Sequence, residues 1–177
     1  VLSSHGIRSY KLNDMALKNL DKLSNNLRII KFQYHNITYI GKPITDMIYL
    51  ESLNLNNNKI TLIDNDIINL TRLSKLDISK NLLDDIPNSI CELENLIILD
   101  LHSNKIKEIN PNINKLKLLQ NLELSHNQIT EIPKEIEYLV EFGKLSHLYL
   151  YKNNIINIHF DLNKNKKIRK LKLSMTY

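Results

Sequence analysis

The sequence predicts an α/β architecture: a right-handed solenoid with a parallel β-sheet on its concave face and short helices, 3₁₀ turns and loops on its convex face. Three observations carry that expectation. One phrase recurs four times in a single register, as LESLNLNNNKITLI, LSKLDISKNLLDDI, LIILDLHSNKIKEI and LQNLELSHNQITEI, opening at Leu50, Leu73, Leu96 and Leu119, each 23 residues after the last. A fixed period of that length marks a stack of supersecondary units that bury their apolar faces against one another. Within each phrase the apolar residues alternate, as in Leu96, Leu99 and Leu101, which points them to the inner side of a short strand. An asparagine then closes the strand at Asn58, Asn81, Asn104 and Asn127, and again at Asn153. Its amide both donates and accepts, so it can bond the backbone groups that a turning chain leaves unpaired.

The register extends both ways from this centre. Ile7, Tyr10, Leu12, Met15 and Leu17 fit a first repeat over residues 7–26, with Met15 where the asparagine belongs. Leu27, Ile30, Phe32, His35 and Ile37 fit a second, with His35 in that slot, so both turns are expected to be less regular. After the four clean copies, Leu145, Leu148, Leu150, Asn153 and Ile155 form a seventh, which opens 26 residues after Leu119. The three added residues fall on the convex side, where Lys134 to Lys144 read as a short helix with Ile136, Leu139 and Val140 on one face and Gly143 as its stop. Pro87 and Pro111 open the shorter convex turns. An eighth repeat begins at Ile168, Leu171 and Leu173 and is incomplete at Tyr177. A solenoid end without a polar cap exposes an apolar layer. Residues 1–177 therefore read as one domain of about eight repeats, belonging to a longer chain.

The phrase L-x-x-L-x-L-x-x-N-x-I, carried by nearly the whole chain from Ile7 onward, resembles the leucine-rich repeat. The wording Ile86, Pro87, Ile90 and Leu93, repeated at Ile132, Pro133 and Ile136, resembles the intracellular, Ras-associated class of that family. Secreted members usually carry cysteine-rich caps, and the lone Cys91 allows none. The resemblance thus implies a cytoplasmic protein that offers a rigid curved surface to another protein, as a scaffold or regulatory module.

In such a scaffold, function sits on the side chains that point out of the strands. Across the turns the slot held by Asp100 reads Lys11, Lys31, Asn54, Asp77, Asp100, Glu123, Tyr149 and Lys172. Equivalent slots on adjacent strands lie roughly 4.8 Å apart, so Asp77, Asp100 and Glu123 are expected to form a carboxylate row, relieved by Lys75, Lys80 and Lys105 or by a cationic partner. The next slots place His102, His126, Tyr149 and Tyr151, with His147, beside that row. Rigid rings with a polar tip are enriched at binding hot spots. The expected partner-binding residues are therefore Asp77, Asp100, His102, Glu123, His126, His147, Tyr149 and Tyr151.

Other chemistries fit the sequence less well. The carboxylates and histidines match a metal site in composition, yet they lie on an open face with nothing to supply a second shell. Ser103 and Ser125 sit at strand exits without a nucleophile elbow. Cys91 lies beside Glu92, which disfavours a thiolate. The glycines are isolated, so no loop cradles a phosphate, and no cofactor is expected. No apolar run nears the roughly 20 residues of a membrane span. The sequon matches at Asn36 and Asn69 are coincidence in a chain so rich in asparagine. Of the formal +5 charge, six positive charges fall in the tail from Asn163 to Tyr177, leaving −1 for the rest. That basic edge lacks the interleaved aromatics of a nucleic-acid groove and reads as a solubilising end. The expectation is a protein-interaction module without catalysis, nucleic acid or small-molecule substrate. The alternatives are the recognition or regulatory segment of a larger enzyme or of a phosphatase or GTPase complex, and a structural part of a cytoskeletal or ribonucleoprotein assembly.

Overall fold

The computed structural model describes residues 2–3, 26–42, 44–159, 161 and 169–175. Its organising feature is a parallel sheet of eight strands in chain order: β1 (Leu2–Ser3), β2 (Ile29–Lys31), β3 (Ser52–Asn54), β4 (Lys75–Asp77), β5 (Ile98–Asp100), β6 (Asn121–Glu123), β7 (His147–Ile155) and β8 (Lys170–Met175). The register follows the repeat without slippage through the centre: Leu53 stands opposite Leu76, Leu76 opposite Leu99, Leu99 opposite Leu122, and Leu122 opposite Leu148. Short parallel ladders on the far side of the strand exits pair Tyr39–Ile40 with Leu62–Ile63 and Glu131–Ile132 with Asn157–Ile158.

Each turn contributes the same leucine and isoleucine positions to one continuous core. Leu96, Leu99, Leu101, Ile106, Ile109, Ile113 and Leu116 are all buried, as are their counterparts in the neighbouring turns. Burial of one such side chain is worth about 1.5–3 kcal/mol, and a strand of three residues could not gather that alone.

The asparagines lock the turns together. Asn104 Nδ2 donates to the carbonyls of Leu101, in its own turn, and of Ile78, in the turn before, both at 3.0 Å. Its Oδ1 accepts the Leu83 N–H at 3.0 Å. Asn58, Asn81, Asn127 and Asn153 repeat the scheme. In the turn that carries His35 instead, the imidazole packs edge-on against Phe32 at 6.2 Å. The residue preceding the asparagine in each turn has a left-handed backbone, with φ between 53° and 57° at Asn57, Lys80, Ser103, His126 and Lys152, and 61° at Tyr34. None of these is glycine. Such a backbone costs about 1–2 kcal/mol for an L-residue, offset by bonds such as Lys80 N–H to the His102 carbonyl at 2.8 Å.

The convex side varies. Asp64 caps a 3₁₀ turn at Asn65–Asn69, and Asn110 caps another at Pro111–Lys115, with proline in its first turn. Helix α1 (Asn88–Cys91) is a single turn, whereas α2 (Glu135–Glu141) is the expected longer helix, burying Ile136, Leu139 and Val140. A Cβ on Gly143 would lie 2.5 Å from the Leu139 carbonyl, so only glycine lets the chain leave the helix there. The three additional residues of this turn are absorbed entirely by α2: Asn153 still reaches Leu124 and Ile129, 29 and 24 positions back, where its counterparts reach 26 and 21. No helix among the described residues is long and apolar enough to cross a membrane.

The edges depart from the expected pattern. The first repeat anticipated at residues 7–26 lies outside the described residues, and the position beside Lys31 is taken by Ser3 instead of Lys11. At the other end Lys172 does pair with Tyr149, as the slot order requires, but the β7–β8 register shifts between Leu150 and Ile155.

Asn104→Ala strips partners from one buried N–H and two carbonyls and is expected to lower unfolding free energy by roughly 2–4 kcal/mol in urea titration. Asn95→Ala, which removes an exposed bond to the Thr71 carbonyl, should change it by less than about 0.5 kcal/mol. Cys91 is buried in the core, and its thiol is pushed up to about 12, first by burial and then by Glu92. It should resist a disulfide reagent in the native state and react only along the unfolding transition followed by circular dichroism.

Candidate functional site

Because Leu122 and Leu124 face the core, Asn121 and Glu123 face the concave side, and the same alternation holds in the neighbouring described strands. Strand pairing then sets Asp77 opposite Asp100, Asp100 opposite Glu123, Glu123 opposite Tyr149, and Asn121 opposite His147. The eight residues singled out from the sequence thus fall in adjacent columns on adjacent strands. Asp77, Asp100, Glu123, His102, His147, Tyr149 and Tyr151 are half-buried and His126 is exposed.

The carboxylates have a second occupation that spacing alone did not reveal. Each accepts the backbone N–H two residues on: Asp77 from Ser79 at 3.0 Å, Asp100 from His102 at 3.1 Å, and Glu123 from Ser125 at 2.9 Å. Asn54 does the same for Asn56 at 3.1 Å. These are Asx-type turns that bend the chain at the strand exit. Asp77 is further bound by Ser79 Oγ at 2.6 Å and Asn54 Nδ2 at 2.8 Å. Asp100 Oδ1 meets His102 Nδ1 at 2.8 Å. Relief of the row by Lys75, Lys80 or Lys105 is therefore corrected: among the described residues no lysine pairs with these three carboxylates. Local N–H donors and His102 lie closer to the carboxylates than any long flexible ammonium. Burial pushes the Asp100 carboxyl above its ordinary range, opposed by its bonds from His102 and assisted by the charge of Asp77.

The rings form one patch at the β7 end. His126 meets Tyr151 edge-on at 5.3 Å, and His147 lies 6.4 Å from Tyr149. Two lysines of the basic tail join it. Lys170 and Lys172 lie 5.7 and 5.9 Å from the Tyr149 ring centre, and Lys172 lies 5.9 Å from that of Tyr151. Cation–π attraction of this kind is worth about 0.5–1 kcal/mol at exposed sites. The sequence reading assigned these lysines to solubility, although the presence of Lys172 in the same slot series as Tyr149 was the available signal. Among the described residues, no three His, Cys, Asp or Glu side chains converge as metal ligands.

Residues 71–129 match the family model described as leucine rich repeat, and residues 49–70 match a second model of the same description. A leucine-rich repeat protein of Leptospira interrogans is 26% identical, with a TM-score of 0.65 over 86% of this chain and 45% of its own. An internalin of Listeria monocytogenes is 26% identical, with a TM-score of 0.65 over 85% and 48%. A plant peptide hormone receptor in complex with RGF2 is 25% identical, with a TM-score of 0.68 over 84% and 28%. The chain thus spans less than half the length of these solved proteins. No curated protein is significantly similar to it in sequence.

Asp100→Asn keeps the oxygen that accepts from His102 and removes a charge whose pKa is raised in the folded state. A raised carboxyl pKa means the folded protein binds the proton more tightly, so the ionised group costs stability above the folded pKa, and the cost vanishes as pH falls through it. The urea midpoint of Asp100→Asn at pH 7 should equal or exceed that of the native chain, and the difference should narrow on acidification. A clear loss at pH 7 would show that the charge itself holds the turn.

Proposed function

Since the chain is a solenoid of leucine-rich repeats, we propose that its concave face binds a partner protein and that it acts as an interaction module without catalysis of its own. The observation that carries this reading is the contrast between the two sets of side chains. The inward positions and asparagines are nearly invariant from turn to turn, whereas the outward columns change from Asn54 through Asp77, Asp100 and Glu123 to Tyr149. Stability sets the first group, whereas the second differs from turn to turn even though Asn54, Asp77, Asp100 and Glu123 all accept a backbone N–H at the strand exit.

The patch of His126, His147, Tyr149 and Tyr151 beside Asp100, His102 and Glu123, with Asp77 at its edge, supplies the binding residues of this reading. Rings that already pack on one another lose little entropy when a partner covers them. The plant receptor in complex with RGF2 is an instance of the fold engaging a polypeptide. A cytoplasmic, regulatory role fits a chain whose single cysteine is a buried thiol.

The test is affinity capture from lysate of the source cell with the native chain and with a Tyr149→Ala/Tyr151→Ala/Glu123→Gln variant. Glutamine retains the acceptor for the Ser125 N–H, so the variant should keep the native circular dichroism spectrum. A partner retained by the native chain and reduced at least tenfold by the folded variant is the expected result. Equal capture by both would move the functional surface off the concave face.

A further inference from the structure

The convex side presents two aromatic rings that neither the core nor the concave face uses. Helix α2 is seated by Ile136, Leu139 and Val140, each fully buried. At helical spacing these three share one side, which leaves Tyr138 on the other, with Phe142 four residues on at the helix end. Phe142 is 67% exposed and Tyr138 41% exposed, and their rings meet at 5.1 Å. The backbone holds the pair in place: the Tyr138 carbonyl accepts the Phe142 N–H at 2.9 Å and the Gly143 N–H at 3.3 Å. The convex turns Asn65–Asn69, Asn88–Cys91 and Pro111–Lys115 contain no aromatic residue, so the pair is peculiar to the turn that is lengthened by three residues.

Two exposed rings in contact form an apolar patch that the fold does not need and water does not favour. An open cleft of about 290 Å³ lies beside them, walled also by Asn114 of the preceding turn and by Glu135, Glu137 and Glu141. Against these three carboxylates the lining holds one cation, Lys134, and among the described residues Glu135 and Glu137 enter no ion pair. The combination decides between occupants. An anionic membrane surface or a nucleic acid would meet the glutamates with like charge. A second copy docked about a two-fold axis would bring the same glutamates against them. A segment with an apolar side chain for the cleft and lysine or arginine beside it satisfies both features, since rings and carboxylates each attract a cation. Anchors one helical turn apart suit a helix laid along α2.

We propose that the Tyr138–Phe142 face of α2 is a docking surface separate from the concave face, and that it takes a basic amphipathic helix of another protein. An apolar side chain of that helix packs against the two rings, and the lysines or arginines flanking it meet Glu135 and Glu137. The proposal stands without the concave reading.

The test uses a phage-displayed library of eighteen-residue peptides, with leucine fixed at helical spacing and the other positions random, panned on the immobilised full chain. Recovered peptides are synthesised and titrated by fluorescence anisotropy. The expected result is enrichment of lysine and arginine beside the leucines, with a loss of affinity of at least tenfold in Phe142→Ala and about threefold in Glu135→Gln/Glu137→Gln. Affinity should also fall as NaCl rises from about 0.05 to about 0.3 M, where the screening length shortens. Tyr149→Ala/Tyr151→Ala should leave it within twofold. Urea midpoints near native verify folding, because the substituted side chains lie outside the core and the Phe142 N–H is kept. Peptides without basic residues, peptides that bind Phe142→Ala as well as the native chain, or no enrichment at all would overturn the proposal. A native chain that sediments as a dimer while Phe142→Ala sediments as a monomer would overturn it too, and would give the face to a second copy.

Discussion

The side-chain amide of one asparagine per turn is the constraint on which the molecule depends. A chain that leaves a three-residue strand and bends at once exposes carbonyls and N–H groups that have no strand partner, above a core of buried leucine and isoleucine side chains that offers them none. Each carboxamide meets at least three such groups, and it does so in two turns at once. The bond network is therefore the source of register: if one turn slid by a residue along its neighbour, the amide would lose its partners in the turn before. Hydrophobic burial supplies most of the driving force but is non-directional, and the asparagines convert it into a single stacking arrangement.

Register is what turns a repeated sequence into a surface. Because Asp100 stands directly between Asp77 and Glu123, and Glu123 directly beside Tyr149, residues separated by 23 or 26 positions become neighbours a strand spacing apart. The concave face is thus written column by column by residues that the core does not restrain. The carboxylates are the exception, since they also close the turn at the strand exit through the N–H two residues on. In Asp100 and Glu123 the turn bond uses one oxygen, whereas in Asp77 the second is also held, by Asn54 Nδ2. A charge-reversing substitution at Asp100 or Glu123 would disturb both roles, whereas an amide isostere separates them.

Much of this could be read before folding. The alternation of leucines, the asparagine slot, the added length before Asn153 and the helix ended by Gly143 all have local causes, and the structure displays each. The misreadings share one origin. Lysines near the carboxylates in sequence were credited with neutralising them, but backbone N–H groups and His102 are nearer in space. Lys170 and Lys172 were assigned to the tail's solubility, yet they lie over Tyr149 and Tyr151 once β8 pairs with β7. At the N-terminal edge Ser3 of the strand Leu2–Ser3, and not Lys11, stands beside Lys31.

What the sequence determined by itself is the period, the inward and outward faces and the identity of each column, because these follow from side-chain alternation and from a repeat that any one turn displays. What only the tertiary structure decided is how the polar groups divide among their partners. That division depends on distances of a few tenths of an ångström between turns that are far apart in the chain. Serine follows aspartate on β4 and glutamate on β6 at the same offset, and the sequence treats the two pairs alike. In three dimensions the first closes on itself, with Ser79 Oγ 2.6 Å from Asp77. The second leaves the Ser125 hydroxyl and one glutamate oxygen without partners among the described residues, because a side chain longer by one methylene carries its carboxylate past the hydroxyl.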